Sequence, residues 1–520
     1  MDATRYDVVV VGGGHNGLVA AAYLGKAGRS VLMLERLAYV GGAAVSEAVF
    51  PGVDVRLSKY SYLVSLLPDQ IVSDLGLTVA LADRTIASYT PLLRSGRDLG
   101  LLVERPAGDR TRQSFLDLTG AHSDFEAWQD FYARIETLAQ DLAPTLLEPL
   151  ATVKAIESRL RDPQILTDLR ELPLAEFVGR ALSDDHVRGV ALTDGLIGTF
   201  ADLHATDGLA ARCFLYHLIG NGSGQWRVPI GGMGAVSASM AEAARRFGAD
   251  ITVGATVTDV AVDGNGAEVT WTDQSGSEHT VSAAAVVSGV APQVMDALRG
   301  RTPSARPVGA QLKLNMVLNR LPRLRSGLDP SLAFSGTLHV NQSASQLDTA
   351  YAAAAAGRLP DPLPFEVYCH SLSDPTILGP GERAAGYQSL TLFGLHTPTA
   401  LFDGNNEGVR ARAAQLAIDG LNGILAEPLE DCLARDSAGA LCIHAASPLD
   451  VEAALAMPGG NIFHGDLSWP WAAHDTQSGT WGVETDEPRL VYAASGGAVR
   501  GGAVSGIGGH NAAHALLDRG

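Results

Sequence analysis

The sequence is poor in cysteine: Cys213, Cys369, Cys432 and Cys442 are the only four in 520 residues. No two of them form a C-x-x-C or C-x-x-x-x-C pair, so neither a redox dithiol nor a zinc knuckle is indicated. Scattered thiols fit a reducing compartment and a role as small buried apolar groups. Basic residues are outnumbered, 38 Lys and Arg against 57 Asp and Glu, for a net charge of −19. That balance argues against a nucleic-acid partner, which needs clustered cations at the phosphates. It also disfavours electrostatic docking to an anionic membrane, while leaving a peripheral hydrophobic contact open. No run approaches the ~18 uninterrupted apolar residues of a spanning helix, and the N-terminus lacks the pattern of a secretory leader. A cytoplasmic soluble protein is expected. Also missing are a repeat of fixed period, a Ser-His-Asp arrangement, a metal-ligand cluster and paired acids at catalytic spacing. What remains is a chain with 46% hydrophobic and 18% charged residues, long enough for several domain-sized units and a large core.

What the sequence does have is glycine, placed abruptly. Val8 to Val11 precede Gly12, Gly13 and Gly14 in "YDVVVVGGGHNGLVAAAYLGKAG". The valines read as a short, fully buried parallel strand. Gly12, Gly14 and Gly17 then form G-x-G-x-x-G, opening a helix expected over about residues 16–27, with Gly28 as its stop. A second apolar strand, "SVLMLE", ends at Glu35, 23 residues after Gly12. In this context each glycine has a task. The first permits the tight turn, the second admits a pyrophosphate to the backbone, and the third lets helix and strand pack closely. The helix N-terminus offers free N–H groups to the phosphates. An acid about 20 residues on suits a ribose diol and repels a 2′-phosphate.

Six residues beyond Glu35 comes a second glycine turn, in "ERLAYVGGAAVSE". A plain NAD domain does not need it. The pattern of Glu35, Arg36, Gly41 and Gly42 resembles the two-domain flavoproteins of the amine oxidase and phytoene desaturase superfamily. There it holds the other side of the FAD diphosphate.

Glycine-rich stretches return at Gly224 to Gly264 and after Arg489. The first reads as a turn, a helix over 235–247 and a strand around 251–262. "EHTVSAAAVVSGVAP" reads as two short strands ending near Gly289 to Pro292. The C-terminus reads as a strand, a glycine loop and a closing helix. The fold expected is α/β with an α+β second domain: a Rossmann-like FAD/NAD(P)-binding domain assembled from residues 1–60, 225–300 and 457–520. The substrate domain is inserted twice, as a mostly helical part over 61–224 and a mixed α/β part over 301–456.

The resemblance extends along the chain through "SYLVSLLP", "DGLIGTFAD", "WRVPIGGMG", "SPLDVEAAL", "GGNIFHGDLS" and "GGAVSGIGGHNAA". It is closest to the phytoene desaturase-like branch, near the pyridine nucleotide-disulphide oxidoreductase domain-containing protein 2 group. That name promises a redox disulphide which this sequence does not contain. The resemblance implies non-covalent FAD held by Gly12, Gly14, His15, Asn16, Gly17, Glu35, Arg36, Gly42, Ala43 and Ala44. It also implies Val257 at the adenine, Gly497 and Val504 to Gly506 beside the ring, and the last helix aimed at the flavin O2 edge. Where relatives show "THPGGG", this chain has Ala498 to Ala503 without the proline and histidine, so no role of that histidine carries over.

Only one G-x-G-x-x-G has strand–helix context, which leaves no evident place for NAD(P)H once FAD is bound. The expected reaction is therefore oxidation, or desaturation, of an apolar polyene or lipid-like substrate. Hydride would pass to flavin N5, and O2 or a quinone would be the acceptor. Flavin carries the hard chemistry, so the protein supplies position and electrostatics. Lys313, in "AQLKLNMVL", stands where amine oxidases keep a lysine bonded through water to N5; otherwise it sits at a strand edge or pairs with an acid. His464, in "GGNIFHG", follows two glycines and an apolar strand, and is either an acid, base or donor titrating in a useful range or a core histidine. His15 and His510 lie at helix starts. Trp226, Trp469 and Trp471 line an apolar pocket or pack a core. A double-bond isomerase, an amine oxidase with an aromatic pair facing the flavin, and an FAD-binding assembly or regulatory protein remain alternatives. The long helices are compatible with a homodimer or a membrane-surface contact.

Overall fold

The computed structural model describes residues 5–519. Residues 1–4 and 520, the outer ends of the segments assigned above to the cofactor domain, lie outside the described residues. Two seven-stranded sheets dominate. In the first, Arg5–Val11 is central, parallel to Val31–Glu35 on one side and to Glu278–Ser288 on the other. Asp250–Val253 extends it in parallel beyond Val31–Glu35, and Leu490–Tyr492 pairs in parallel with the end of Glu278–Ser288. Strands from the beginning, middle and end of the chain thus share one sheet. Val8 to Val11 are almost wholly buried because helices and a second layer cover both faces. Burial of each such side chain is worth about 1.5–3 kcal/mol.

The second sheet runs in the order Ile443–Ala446, Leu312–Leu318, Gln388–Gly394, Phe365–Tyr368, Thr337–Val340, Ile86–Arg94, Arg97–Glu104. Strand alternation sorts Leu312–Leu318 into two faces. Leu312, Leu314, Met316 and Leu318 join a core with Leu416, Ala417 and Leu421 of the helix Asn406–Ile424. Lys313, Asn315 and Val317 face the other way, and Asn315 donates to the Lys59 carbonyl. Against the second sheet packs a helical body built on His122–Leu142. Its Phe125, Trp128, Phe131, Ile135, Leu138 and Leu142 recur every three or four residues and are buried.

Several elements differ from the sequence reading. The 61–224 segment is not wholly helical: it contributes the hairpin Ile86–Arg94 and Arg97–Glu104 to the second sheet. Ser95 and Gly96 close that hairpin, both with positive φ, the two-residue turn that suits strand twist. "EHTVSAAAVVS" is one continuous strand rather than two, because it pairs antiparallel at its start and parallel at its end. The strand expected around 251–262 is instead two, broken at Gly254, which has a left-handed φ of 66°. Among the described residues no helix is long and apolar enough to cross a membrane.

Candidate active site

At the end of the first strand the chain turns at Gly12, whose φ is +96°. Gly17 sits so close beneath it that a Cβ there would lie 2.4 Å from the Gly12 carbonyl oxygen. Gly14 has nothing within 4 Å where a Cβ would project. The second glycine turn docks on the first: the Gly41 amide donates to the Gly13 carbonyl at 2.8 Å, and a Cβ on Gly42 would stand 3.2 Å from the Gly14 Cα. The reason for the paired glycine turns is this backbone-on-backbone contact. Glu35 fixes both, accepting from the Gly13 amide and the Leu37 amide at 2.7 Å each. A carboxylate retains further lone pairs for another donor.

These turns form one end of a cavity of about 860 Å³ that runs from them into the space between the second sheet and the helical body. Gly12, Gly14, His15, Asn16, Glu35, Arg36, Gly42, Ala43, Val257 and Val504 line it. Gly17, Ala44, Gly497 and Gly506 do not. Gly17 acts by close packing, Ala44 accepts from Ser237 behind the wall, Gly497 makes room for the Tyr492 ring, and Gly506 begins the last helix with φ +75°. Arg36 reaches the Ala454 carbonyl. His15 Nε2 and Asn16 Oδ1 are buried with no partner. Open space at Gly14, unpartnered polar atoms at the helix start and a cavity of this size fit a flavin dinucleotide.

Lys313 is one of four lysines in the chain, with Lys26, Lys59 and Lys154. It is 4% exposed and lines the cavity. Its strand is interior, flanked by Phe393 and Ala446, so it is neither at a sheet edge nor paired with an acid. Its Nζ has no hydrogen-bond partner and stands 4.1 Å from the centre of the Tyr62 ring. Burial holds its pKa well below the usual lysine value. Tyr62 in turn meets Tyr368 at 4.7 Å between ring centres. An aromatic pair therefore stands beside Lys313, supplied by segments 306 residues apart (62 and 368).

His464 also lines the cavity, but no strand leads to it. It ends a tight turn in which Asn461 holds the Val308 carbonyl and the amides of Phe463 and Gly465. Its own φ is +62° and its Nδ1 has no partner. Burial lowers its pKa to about 4, and that of His15 likewise to about 4, with His464 as a second cause. The useful range anticipated for His464 is thus corrected: it is a neutral imidazole at physiological pH. Trp226 lines the cavity and stacks on His217 at 4.5 Å, whereas Trp469 and Trp471 stack on each other against the helical core. His510 lies inside Ile507–Leu517 rather than at its start.

Sequence reading missed the far wall: Arg84, Arg105, Asp194, His339, Glu366 and Tyr368. None belongs to a local motif, so no sequence signal marked them. It also missed what replaces the relatives' Pro and His. Arg500 is 1% exposed, and its guanidinium donates to the carbonyls of Pro470, Leu146 and Glu148. The Tyr216 hydroxyl holds the Val499 carbonyl at 3.0 Å. The four cysteines are free and buried.

The model of flavin containing amine oxidoreductases matches residues 17–322, more than half of the chain. An uncharacterized protein of Mycobacterium tuberculosis is 49% identical over 98% of this chain and 97% of its own length. Pyridine nucleotide-disulfide oxidoreductase domain-containing protein 2 of Mus musculus is 30% identical over 99% of this chain and 93% of its own. Cyclohexylamine oxidase from Brevibacterium oxydans shares the fold, with a TM-score of 0.58 at 15% identity over 99% of both chains. With its glycine turns and its cavity, the chain belongs to the flavin containing amine oxidoreductase family and is an FAD-dependent oxidoreductase.

Proposed function

We propose that this oxidoreductase oxidises an apolar polyene or lipid-like molecule by desaturation and passes the electrons to O2 or a quinone. The observation that carries this reading is one continuous cavity, with a glycine-turn cradle at one end and an otherwise largely apolar chamber beyond it. Leu66, Val103, Trp128, Ile197, Phe393 and Phe463 contribute to that chamber. FAD, when bound, supplies the capacity to accept two electrons from a C–H bond. Gly12, Gly14 and the start of the first helix would hold its diphosphate, and Glu35 its ribose. The apolar wall excludes water and fixes the substrate's approach. Lys313, unpartnered and held by burial well below the usual lysine value, stands to orient a water or O2 at the reacting end. His464, neutral and free at Nδ1, offers a hydrogen-bond donor or acceptor by choice of tautomer.

A second reading, oxidation of an amine, is supported by the Tyr62–Tyr368 pair beside Lys313. The two rings, in contact with each other, offer an aromatic surface against which an uncharged amine could lie. Anaerobic titration of the purified holoprotein separates the readings. Alkenes, carotenoids, fatty acids and amines are added in turn, with NADH and NADPH tried apart. Bleaching of the flavin band by an apolar compound, and none by the nicotinamides, is the expected result. Bleaching by amines alone would replace the first reading with the second. Rapid bleaching by NAD(P)H would overturn the direction of electron flow.

A further inference from the structure

Resting on the reading of this cavity as the substrate chamber, we infer that the substrate carries an anionic headgroup, a carboxylate on an otherwise apolar body, received between Arg84 and Arg105. Both side chains line the cavity. Arg84 is held in place by its Nε donating to the Trp226 carbonyl at 3.0 Å and its Nη1 to Thr337 Oγ1 at 3.2 Å. It lies 6.0 Å from the centre of the Tyr368 ring. Arg105 is itself exposed, as are Pro106 and Ala107 after it, and so stands at the solvent side of the cavity. Among the described residues no carboxylate oxygen lies within 4.0 Å of either guanidinium, although ion pairs are frequent elsewhere on the chain. Arg84, half-buried in the cavity wall, and Arg105, on its solvent side, thus face one space in which no side-chain carboxylate pairs with them at close range.

Asp194 is attracted by Arg105 and Glu366 by Arg84, yet neither acid closes an ion pair with its arginine. Burial pushes Asp194 well above the usual carboxylate range, with Glu366 as a further cause. Burial likewise raises Glu366 to about 7, and its carboxylate is already engaged by the Tyr368 hydroxyl. His339 beside it is lowered to about 4 by burial and stays neutral. Burial likewise holds Lys313 well below the usual lysine value. Desolvation lowers Arg84 only to about 10, so it keeps its proton at neutral pH. Arg84 and Arg105 bring two cations to this space in a protein whose overall charge is −19. The planar guanidinium fork matches a carboxylate in a bidentate pair. An ammonium headgroup would meet two cations and two acids biased toward their neutral forms.

The test uses the FAD-loaded protein and a matched series: dodecanoate, methyl dodecanoate, 1-dodecanol and dodecylamine. Binding is read from the perturbation of the bound flavin's absorbance, which needs no turnover. Dodecanoate is expected to bind at least tenfold more tightly than the alcohol or the ester, as a charge-assisted pair implies. Arg105→Gln removes that preference while leaving the alcohol's affinity in place, and Arg105→Lys restores part of it. Arg84→Gln is expected to act in the same direction; because Arg84 also anchors the Trp226 loop, Arg105 is the decisive position. Equal binding of acid and alcohol, tighter binding of the amine, or an acid preference untouched in Arg105→Gln overturns the headgroup assignment and leaves the apolar reading standing. If no member of the series binds a protein with a normal flavin spectrum, the apolar-chamber reading fails and the headgroup assignment falls with it.

Discussion

The cofactor cradle and the substrate chamber share one cavity but are built by opposite means. The cradle is made of main chain. Gly12 to Asn16 and Glu35 to Ala43 supply most of it from fewer than fifty consecutive residues, and its essential feature is the absence of Cβ atoms. The chamber is made of side chains from Tyr62, Arg84, Trp128, Asp194, Lys313, Glu366 and His464. These are separated by hundreds of residues and brought together only by the second sheet and the helical body. A backbone site demands residue types at fixed local spacing. A side-chain chamber demands only that distant residues arrive at one place, and many sequences achieve that.

Two substitutions at the cradle separate packing from binding, with the largest expected effect. In Gly17→Val the new side chain meets the Gly12 carbonyl at a distance no rotamer relieves. The protein should purify without its yellow colour and lose roughly 3 kcal/mol of unfolding free energy. In Gly14→Ala the added methyl meets no protein atom within 4 Å, and the residue's φ of −68° suits alanine. That variant should melt like the parent apoprotein yet retain much less FAD. Equal FAD content in parent and Gly14→Ala would show that the open space at Gly14 is not where the diphosphate lies.

In the chamber, Lys313→Met removes a buried amine that has no partner and replaces it with an apolar chain of similar length. Burying an unpaired polar group is unfavourable, so the variant should be as stable as the parent or more so. Reoxidation of the reduced enzyme by O2 should nevertheless slow at least tenfold. A fall in melting temperature with unchanged reoxidation would make Lys313 a structural residue instead.

The smallest effect concerns pH. His464 titrates near 4 when folded and near 6.5 when unfolded. As pH falls below 6.5 the unfolded chain takes up a proton that the folded one refuses, so stability is lost on acidification toward pH 4. His464→Gln should lessen the decline between pH 7 and 5 by at most about 2 kcal/mol, at ~1.36 kcal/mol per pH unit below 6.5. His15, His217, His339, His370 and His396 have pKa values lowered in the same direction, so the slope should persist in part. Identical pH profiles for parent and variant would mean that His464 is solvated in the folded protein.

Much of the cofactor end was legible from the sequence. Val8 to Val11, the three glycines and Glu35 form a strand, a turn and an acid whose mutual geometry is settled within one βαβ unit. The resemblance of the later motifs named the family before any coordinates. The hairpin at Ser95 and Gly96 was missed because Pro91 and the surrounding charged residues obscure its alternation. The strand expected before His464 proved to be a turn because Asn461 satisfies that backbone instead.

Local covalent geometry and residue type were enough to mark the N-terminal glycine turn as the place suited to a dinucleotide, and the order of the motifs was enough to point to the family. Tertiary structure decided that Lys313 is buried without a hydrogen-bond partner, that Tyr62 and Tyr368 pair beside it, and that Arg500 secures the loop over 498–503. It also decided that Arg84 and Arg105 face one cavity with, among the described residues, no carboxylate oxygen within 4.0 Å of either. The physical reason is that charge state and contact depend on desolvation and on neighbours distant in sequence, and neither exists until the sheets and helices close around the cavity.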